Sequence, residues 1–337
     1  MAKTGKKSKK EKKAGSSTGK AAARAAQEAA AKAAGAAASV AASTAAAATE
    51  AIVKRGAKLL SKADAHRTVG GLEAHLLKLF PADTAEDWDR MGVLVGERAM
   101  PLSKVAITLD PTVPAIEEAA RAGADVLLTH HPAYLSAPGS FAPARSVAQN
   151  AGAGVWAAIR NGVALMCFHT ALDVSRQAQG VLPELLGLEA TGKVLSPLPS
   201  QPTLGYGQVC AAPKGEALSL AHLAARCTSV FGRAPRVWGR MDAQVRTVAT
   251  ATGSASNVGA LALTAGMDCL VCGEVRYHDA LDLSQAGLCI IELGHDVSEF
   301  PLTAVLADAV ASYGVGTDRI VILDQTANWA YPESIRL

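Results

Sequence analysis

The sequence predicts an α/β protein made of two related lobes, preceded by a basic Lys/Ala-rich arm. Three observations carry that expectation. Short apolar runs alternate with helically spaced segments from about residue 68 onward, one such unit occurs twice, and charge divides sharply near residue 67.

The 337 residues hold 33 Lys+Arg and 30 Asp+Glu, a formal net charge of +3. Residues 1–67 carry 15 of those bases against Glu11, Glu28, Glu50 and Asp64, a local charge of +11. The remainder is left at −8, so a basic arm is joined to an acidic body. Residues 1–20 are mostly lysine, glycine and serine, with too little apolar surface to fold. From Ala21 to Ala48, 19 of 28 residues are alanine, with Arg24, Glu28 and Lys32 spaced at four. That composition favours helix, but without a large apolar stripe it reads as a helical spacer.

The body opens with Leu72, Leu76, Leu77 and Phe80 at helical spacing, ended by Pro81. Trp88 to Gly96 then reads as a turn entering a strand. Val105 to Leu109 follows as strand, Val113 to Arg121 as helix and Val126 to Leu128 as a buried parallel strand. Phe141 to Arg160 is expected to be helical. Val163 to Phe168 makes the next strand and delivers His169-Thr170-Ala171-Leu172-Asp173.

The later sequence repeats the plan. Ala122-Gly123-Ala124-Asp125 precedes one strand, and Ala265-Gly266-Met267-Asp268 precedes Cys269 to Cys272. Six residues after each aspartate stand His131 and Glu274. Val105 to Leu109 corresponds to Val245 to Ala249, and Gly162 to Cys167 corresponds to Gly287 to Glu292. Each third strand is followed by a histidine with an acid four residues on: His169 and Asp173, then His295 and Glu299.

Several chemistries are poorly supported. The six cysteines show no disulfide framework, and Cys269 and Cys272 form a lone CxxC with no second pair to complete a zinc site. They read as small core hydrophobes. There is no Gly-x-Ser-x-Gly elbow and no phosphate loop ending in Gly-Lys-Ser/Thr. Gly253-Ser254-Ala255-Ser256 reads as a tight turn. No run of roughly 18 strongly apolar residues appears, and no leucine-rich signal core, so a cytoplasmic protein without a membrane segment is expected.

The histidines are more informative. His130, His131, His169 and His295 follow apolar strand-like runs, at the ends where α/β sheets place their ligands. Any one of them can be an ordinary strand cap; the recurrence favours a common site. Imidazoles with carboxylates suit Zn, Mn, Fe or Ni. The donors exceed one tetrahedral site and suit two ions bridged by a carboxylate and a water, a pair that activates water near neutral pH.

Val126-Leu127-Leu128-Thr129-His130-His131-Pro132, His169 to Asp173, Gly273 to Ala280 and Gly294 to Glu299 resemble the signatures of the Nif-three-like family, also called the GTP cyclohydrolase I type 2 family. Trp88 to Gly96 resembles its N-terminal glycine-containing element, with Arg90 where the family usually has asparagine. The resemblance covers roughly Thr68 to Pro332. It implies two α/β lobes with a dinuclear centre between them and a homo-hexameric ring. It also implies that His130, His131, Asp173, His295 and Glu299 hold two divalent ions per chain, with Glu299 as bridge. His169 stands either as a further ligand or as a partner behind the ligands. Within a body of 68–337, lobes are expected at roughly 68–190 plus 286–337, and 191–285. Larger members insert a further domain, for which this chain leaves no room.

The function expected is metal-dependent hydrolysis of a nucleotide or similar small molecule, GTP cyclohydrolase type 2-like. Glu274, Tyr277 and His278 are the candidates for proton transfer. The alternative is a non-enzymatic, metal-binding oligomeric regulator or interaction protein. The arm is either a solubilising tail or a weak polyanion contact. If it binds nucleic acid, its eight lysines before residue 21 should give DNA affinity that falls steeply with salt and disappears when residues 1–60 are removed. Equal affinity with and without the arm, measured by filter binding, excludes that role.

Overall fold

The computed structural model describes residues 67–216 and 218–330. The arm expected over residues 1–67 lies outside the described residues except for Arg67.

The first lobe begins with helix α1 (Val69–Leu79), whose entry is set by the Thr68 hydroxyl accepting from Gly71 N at 3.1 Å. Strand β1 (Gly92–Val95) follows, then β2 (Val105–Thr108), α2 (Val113–Arg121), β3 (Val126–Thr129), α3 (Asn150–Asn161), β4 (Ala164–Cys167) and the single turn α4 (Thr170–Asp173). Helix α5 (Arg176–Leu186) leads to β5 (Glu189–Pro197) and β6 (Gly205–Ala211). The second lobe continues through α6 (Leu220–Phe231), β7 (Arg236–Trp238), β8 (Thr247–Ser254), α7 (Ser256–Thr264), β9 (Cys269–Glu274), α8 (Tyr277–Gln285), β10 (Cys289–Glu292) and the short α9 (His295–Glu299). Helix α10 (Leu302–Ser312) and β11 (Ile320–Ile322) then return to the first lobe.

Two sheets result, ordered β1-β4-β3-β2-β11 and β5-β6-β8-β9-β10-β7. The repeat seen in sequence is a repeat of topology. In each lobe three parallel strands (β2-β3-β4 and β8-β9-β10) carry an antiparallel strand, β1 or β7, on the third. A hydroxyl-capped helix starts each unit, at Thr68 and Ser219.

The two aspartates of the repeat do the same work in both copies. Asp125 Oδ2 accepts from Ser103 N and Lys104 N at 2.7 and 2.9 Å; Asp268 Oδ2 accepts from Arg246 N and Thr247 N at 2.8 and 2.9 Å. Each fixes the start of a central strand against its neighbour, which sets where that strand ends.

Each sheet buries both faces. Leu72, Leu76 and Phe80 of the first helix region join Ile107, Leu128, Met166, Leu306 and Val310 on one face of the first sheet; Ile116, Leu127, Val155 and Leu165 fill the other. Helix α5 ties the lobes together, for Ala178 packs into the first core while Leu182 and Leu186 pack into the second. All six cysteines are free and buried. Burial pushes the thiols up, to about 12 for Cys227, so they behave as core residues rather than nucleophiles.

Three expectations are corrected. The helix expected from Phe141 begins only at Asn150: Pro143 keeps Ala142 out of helical geometry, and a 3₁₀ turn at Val147–Gln149, with Gln149 Oε1 accepting from Arg145 N at 2.9 Å, precedes the helix. The strand expected over Val245 to Ala249 runs instead from Thr247 to Ser254, since Val245 N is taken by Leu218 O. The boundary near residue 286 falls inside the second sheet: β10 pairs with β9 and β7, and only the chain from α10 onward rejoins the first core. No helix among the described residues is long and apolar enough to cross a membrane.

Asp125→Ala and Asp268→Ala should each lower stability by about 1.5–3 kcal/mol, the value of hydrogen bonds to a charged acceptor. Urea unfolding of the two variants tests the equivalence; a loss below about 0.5 kcal/mol in either contradicts it.

Candidate metal centre

The centre is built where the parallel strands end. After β3 the Thr129 hydroxyl donates to His131 O at 2.6 Å, folding the chain back on itself. That bend brings both imidazoles to one side, with ring centroids 4.9 Å apart. An unbent strand would have sent them to opposite faces. After β4, His169 precedes the α4 turn and Asp173 ends it; after β10, Gly294 at φ +105° opens α9, with His295 first and Glu299 last.

Glu299 lies at the meeting point. Its Oε2 is 3.0 Å from His131 Nε2 and 3.1 Å from His295 Nε2, and its Oε1 is 3.6 Å from His130 Nε2. Asp173 Oδ1 is 3.5 Å from the same His130 nitrogen. Despite these distances, Glu299 Oε2, Asp173 Oδ1 and both His130 nitrogens are buried without a hydrogen-bond partner. Orphaned buried donors and acceptors are costly, and a cation would satisfy His130 Nε2, Asp173 Oδ1 and Glu299 Oε2 together. Three groups have donor atoms within 4.8 Å of one another: His131, His295 and Glu299; His130, Asp173 and Glu299; and His130, His131 and His169.

Carboxylates hold the outer nitrogens of three imidazoles. His131 Nδ1 is 2.8 Å from Asp110, His169 Nδ1 is 3.0 Å from Asp89 and His295 Nδ1 is 2.9 Å from Glu274. Such pairing orients each ring with Nε2 inward and, in the neutral ring, fixes the tautomer whose Nε2 can ligate, the arrangement typical of metal-ligating histidine. Asp89 and Asp110 were not singled out in the sequence. Asp110 was detectable, since it follows the apolar run Val105 to Leu109 as the histidines follow theirs.

The acids and imidazoles shape each other's charge. Burial works against charge on His131, but the Asp110 and Glu299 carboxylates outweigh it and raise the imidazole to about 10. Glu299 raises His295 to about 9, against burial. Burial likewise opposes charge on Glu299, yet His130, His131 and His295 hold its carboxyl well below the usual range. Burial pushes Asp173 up. His169 and Thr170 hold Asp89 at about 2 in spite of its burial.

Of the three residues expected near proton transfer, Glu274 touches the centre through His295. Tyr277 and His278 stand at the start of α8, and their ring contacts run to Trp238 and to each other, at 5.7 and 5.3 Å. Tyr206 enters from β6, its hydroxyl donating to Glu86 Oε1 at 3.2 Å. Burial, with Asp173 and Glu86 nearby, raises that phenol.

The profile of the Duf34/NIF3 (NGG1p interacting factor 3) family matches residues 68–327. The chain belongs to this family. All five expected ligands fall inside the matched span. A Streptomyces coelicolor relative named "GTP cyclohydrolase 1 type 2 homolog" is 34% identical over 231 residues, covering 66% of this chain and 78% of its own length. A Clostridium perfringens protein of the same name is 28% identical, covering 68% and 86%. The fold is shared with a Bacillus cereus protein related to NIF3 (TM-score 0.69, 20% identity, 79% of this chain and 99% of that one). A Staphylococcus aureus hypothetical protein is similar to the same degree (TM-score 0.70, 20% identity, 78% and 99%).

Imidazole must be neutral to ligate, whereas His131 and His295 hold protons at neutral pH in the metal-free chain. Divalent-ion affinity should therefore rise with pH until it passes about 9 and 10, where the two rings lose their protons, with protons released on binding below that range. Calorimetry in buffers of different ionisation enthalpy measures that release; uptake independent of pH contradicts it. Without metal the sign reverses. The raised imidazoles stabilise the fold fully below their ordinary 6.5, and that contribution is lost as pH climbs through about 9 and 10.

Proposed function

We propose that this chain is a dinuclear metal-dependent hydrolase acting on a nucleotide or a similar small molecule. The observation that supports it most is a sharing of donors. The group His131, His295 and Glu299 and the group His130, Asp173 and Glu299 have Glu299 in common, as a bridging carboxylate would require. In this reading those five residues hold two divalent ions, of the Zn, Mn, Fe or Ni kind. Ions bound there would supply Lewis acidity and make water acidic near neutral pH.

The chain's own residues do the rest. Asp110 and Glu274 keep His131 and His295 in the tautomer that presents Nε2 inward. His169, backed by Asp89, stands beside His130 and His131 with ring centroids at 5.1 and 5.4 Å, and we assign it an orienting role behind the ligands. Glu274 is half-exposed and already bound to His295, so we assign it the proton transfer. Tyr277 and His278 remain outer candidates on the same segment.

The names of the Streptomyces and Clostridium relatives support a guanine nucleotide as substrate. The corresponding reaction is addition of water at C8, with cleavage of the C8–N9 bond and a formamide left on N7. The assembly we propose is a homo-hexamer, for which exposed Phe141, Trp156 and Ile159 offer apolar contact surface.

Metal-reconstituted protein should hold two divalent ions per chain by elemental analysis, and a nucleotide screen should show turnover of a guanine nucleotide. Glu299→Gln, nearly isosteric but neutral, should lose at least one ion. His169→Ala should weaken binding by about 10–100-fold yet still fill at saturating metal, which His295→Ala should not. One ion or none in the wild type overturns the dinuclear reading; His169→Ala filling no better than His295→Ala makes His169 a ligand.

A further inference from the structure

The turn Glu86 to Asp89 is fixed to the centre more firmly than a surface turn needs to be. Asp89 N donates to Glu86 O at 2.9 Å, closing the turn. The buried Asp89 carboxylate accepts from Thr170 N at 2.9 Å and from the Thr170 hydroxyl at 2.6 Å, and it also pairs with His169. Glu86 N donates to Thr170 Oγ1 at 3.0 Å. These bonds fasten the turn to the segment that carries His169 and Asp173. Yet its largest side chain, Trp88, is 55% exposed, with its ring edge-on to His169 at 5.8 Å. Indole gains more from burial than almost any other group, so a rigid turn that holds it in solvent beside the centre leaves one face open for a ligand. Glu86, two residues earlier on the same turn, is exposed, and its carboxylate accepts from the Tyr206 hydroxyl of the second sheet. One lobe supplies the ring and the carboxylate, and the other supplies the hydroxyl that holds the carboxylate in place.

We propose that Trp88 is the stacking platform for a flat nitrogen heterocycle of the nucleobase class, and that Glu86 reads its edge by accepting N–H bonds. The inference rests on the proposed nucleotide reading for the choice of ring. Guanine presents a ring N–H and an amino group side by side, a pair of donors that one carboxylate accepts together. Adenine sets an amino donor beside a ring acceptor and repels that carboxylate. Trp88 thus supplies affinity for any base, and Glu86 supplies preference for guanine.

The test is calorimetric binding to the metal-loaded full chain, using guanosine monophosphate, adenosine monophosphate and ribose 5-phosphate. The wild type should bind the guanine ligand more tightly than the adenine ligand, and ribose 5-phosphate least. Trp88→Ala should weaken both nucleotides about tenfold or more, as loss of base–aromatic stacking does, while Trp88→Phe stays within about threefold. Glu86→Gln should reduce the guanine preference without weakening adenosine monophosphate. Melting temperature and metal content should be unchanged in all three variants. Equal nucleotide affinity in wild type and Trp88→Ala overturns the proposal, as does ribose 5-phosphate binding as well as the nucleotides, or no nucleotide binding at all. Turnover that ignores Trp88 sinks this inference alone. Base binding that follows Trp88 without any turnover sinks the hydrolase reading and leaves this one standing.

Discussion

A carboxylate taken out of water survives only beside positive charge, and Glu299 is buried where His130, His131 and His295 converge. The surroundings are shaped to that requirement. A Cβ at Gly253, which adopts φ +59°, would lie 2.1 Å from Glu299 Oε1, so no side chain fits there. A Cβ at Gly273 would meet Gly253 O at 2.3 Å and Ser298 Oγ at 2.6 Å. The Ser298 hydroxyl uses the space thus saved: it accepts from Gly253 N and donates to His295 O, both at 2.9 Å. Two glycines and one serine therefore fix the floor beneath the acid.

The C-terminal segment holds both halves of the centre from outside. Gln325 clasps Asp110 by its backbone, accepting from its N–H and donating to its carbonyl, each at 2.9 Å. Asp110 in turn holds His131. Farther along, Trp329 Nε1 donates to Asp296 at 3.0 Å, and Arg233 lies over the same indole at 4.2 Å while pairing with Asp296 at 2.7 Å. Asp296 is the neighbour of His295. A few residues past β11 thus reach from a histidine support in one lobe to the residue beside a histidine in the other.

The strands and the convergence of the donors were legible because parallel buried strands leave continuous apolar runs, and the residues after each run emerge at one end of the sheet. The duplicated lobe was legible for the same reason, through Asp125 and Asp268. What the sequence hid were residues whose importance lies in what they touch across the fold. Asp89 is 80 positions from His169, and Gly253 is 45 from Ser298. No local pattern marks either pair. The true start of α3 at Asn150 is masked because Ala142, Ala144 and Ala148 continue the helix's alanine-rich composition back past Pro143. The second-lobe boundary is obscured because β10 resembles β4 in sequence, whereas pairing with β9 places it in the second sheet.

The two lobes share a scaffold but not a donor set, and the difference explains why one site forms rather than two. Val105 pairs with Val126 as Val248 pairs with Cys269, so β2 and β8 are equivalent; Asp110 stands just past β2, and the corresponding end of β8 carries a bulge between Ala251 and Ser254 that contains Gly253. In the first lobe that place holds the carboxylate that orients His131. In the second it must be empty, because Glu299 occupies the space. His131 and Glu274 are equivalent in the same way, and Glu274 backs a histidine rather than joining the converging donors. Asp173 and Glu299 complete the asymmetry. Among the imidazoles of the described residues the aspartate side chain approaches only His130 within 4 Å, while glutamate, one methylene longer, reaches His130 and His131 of the other lobe as well as His295 of its own helix. The extra methylene, with the glycine that admits it, joins two related lobes into a single centre.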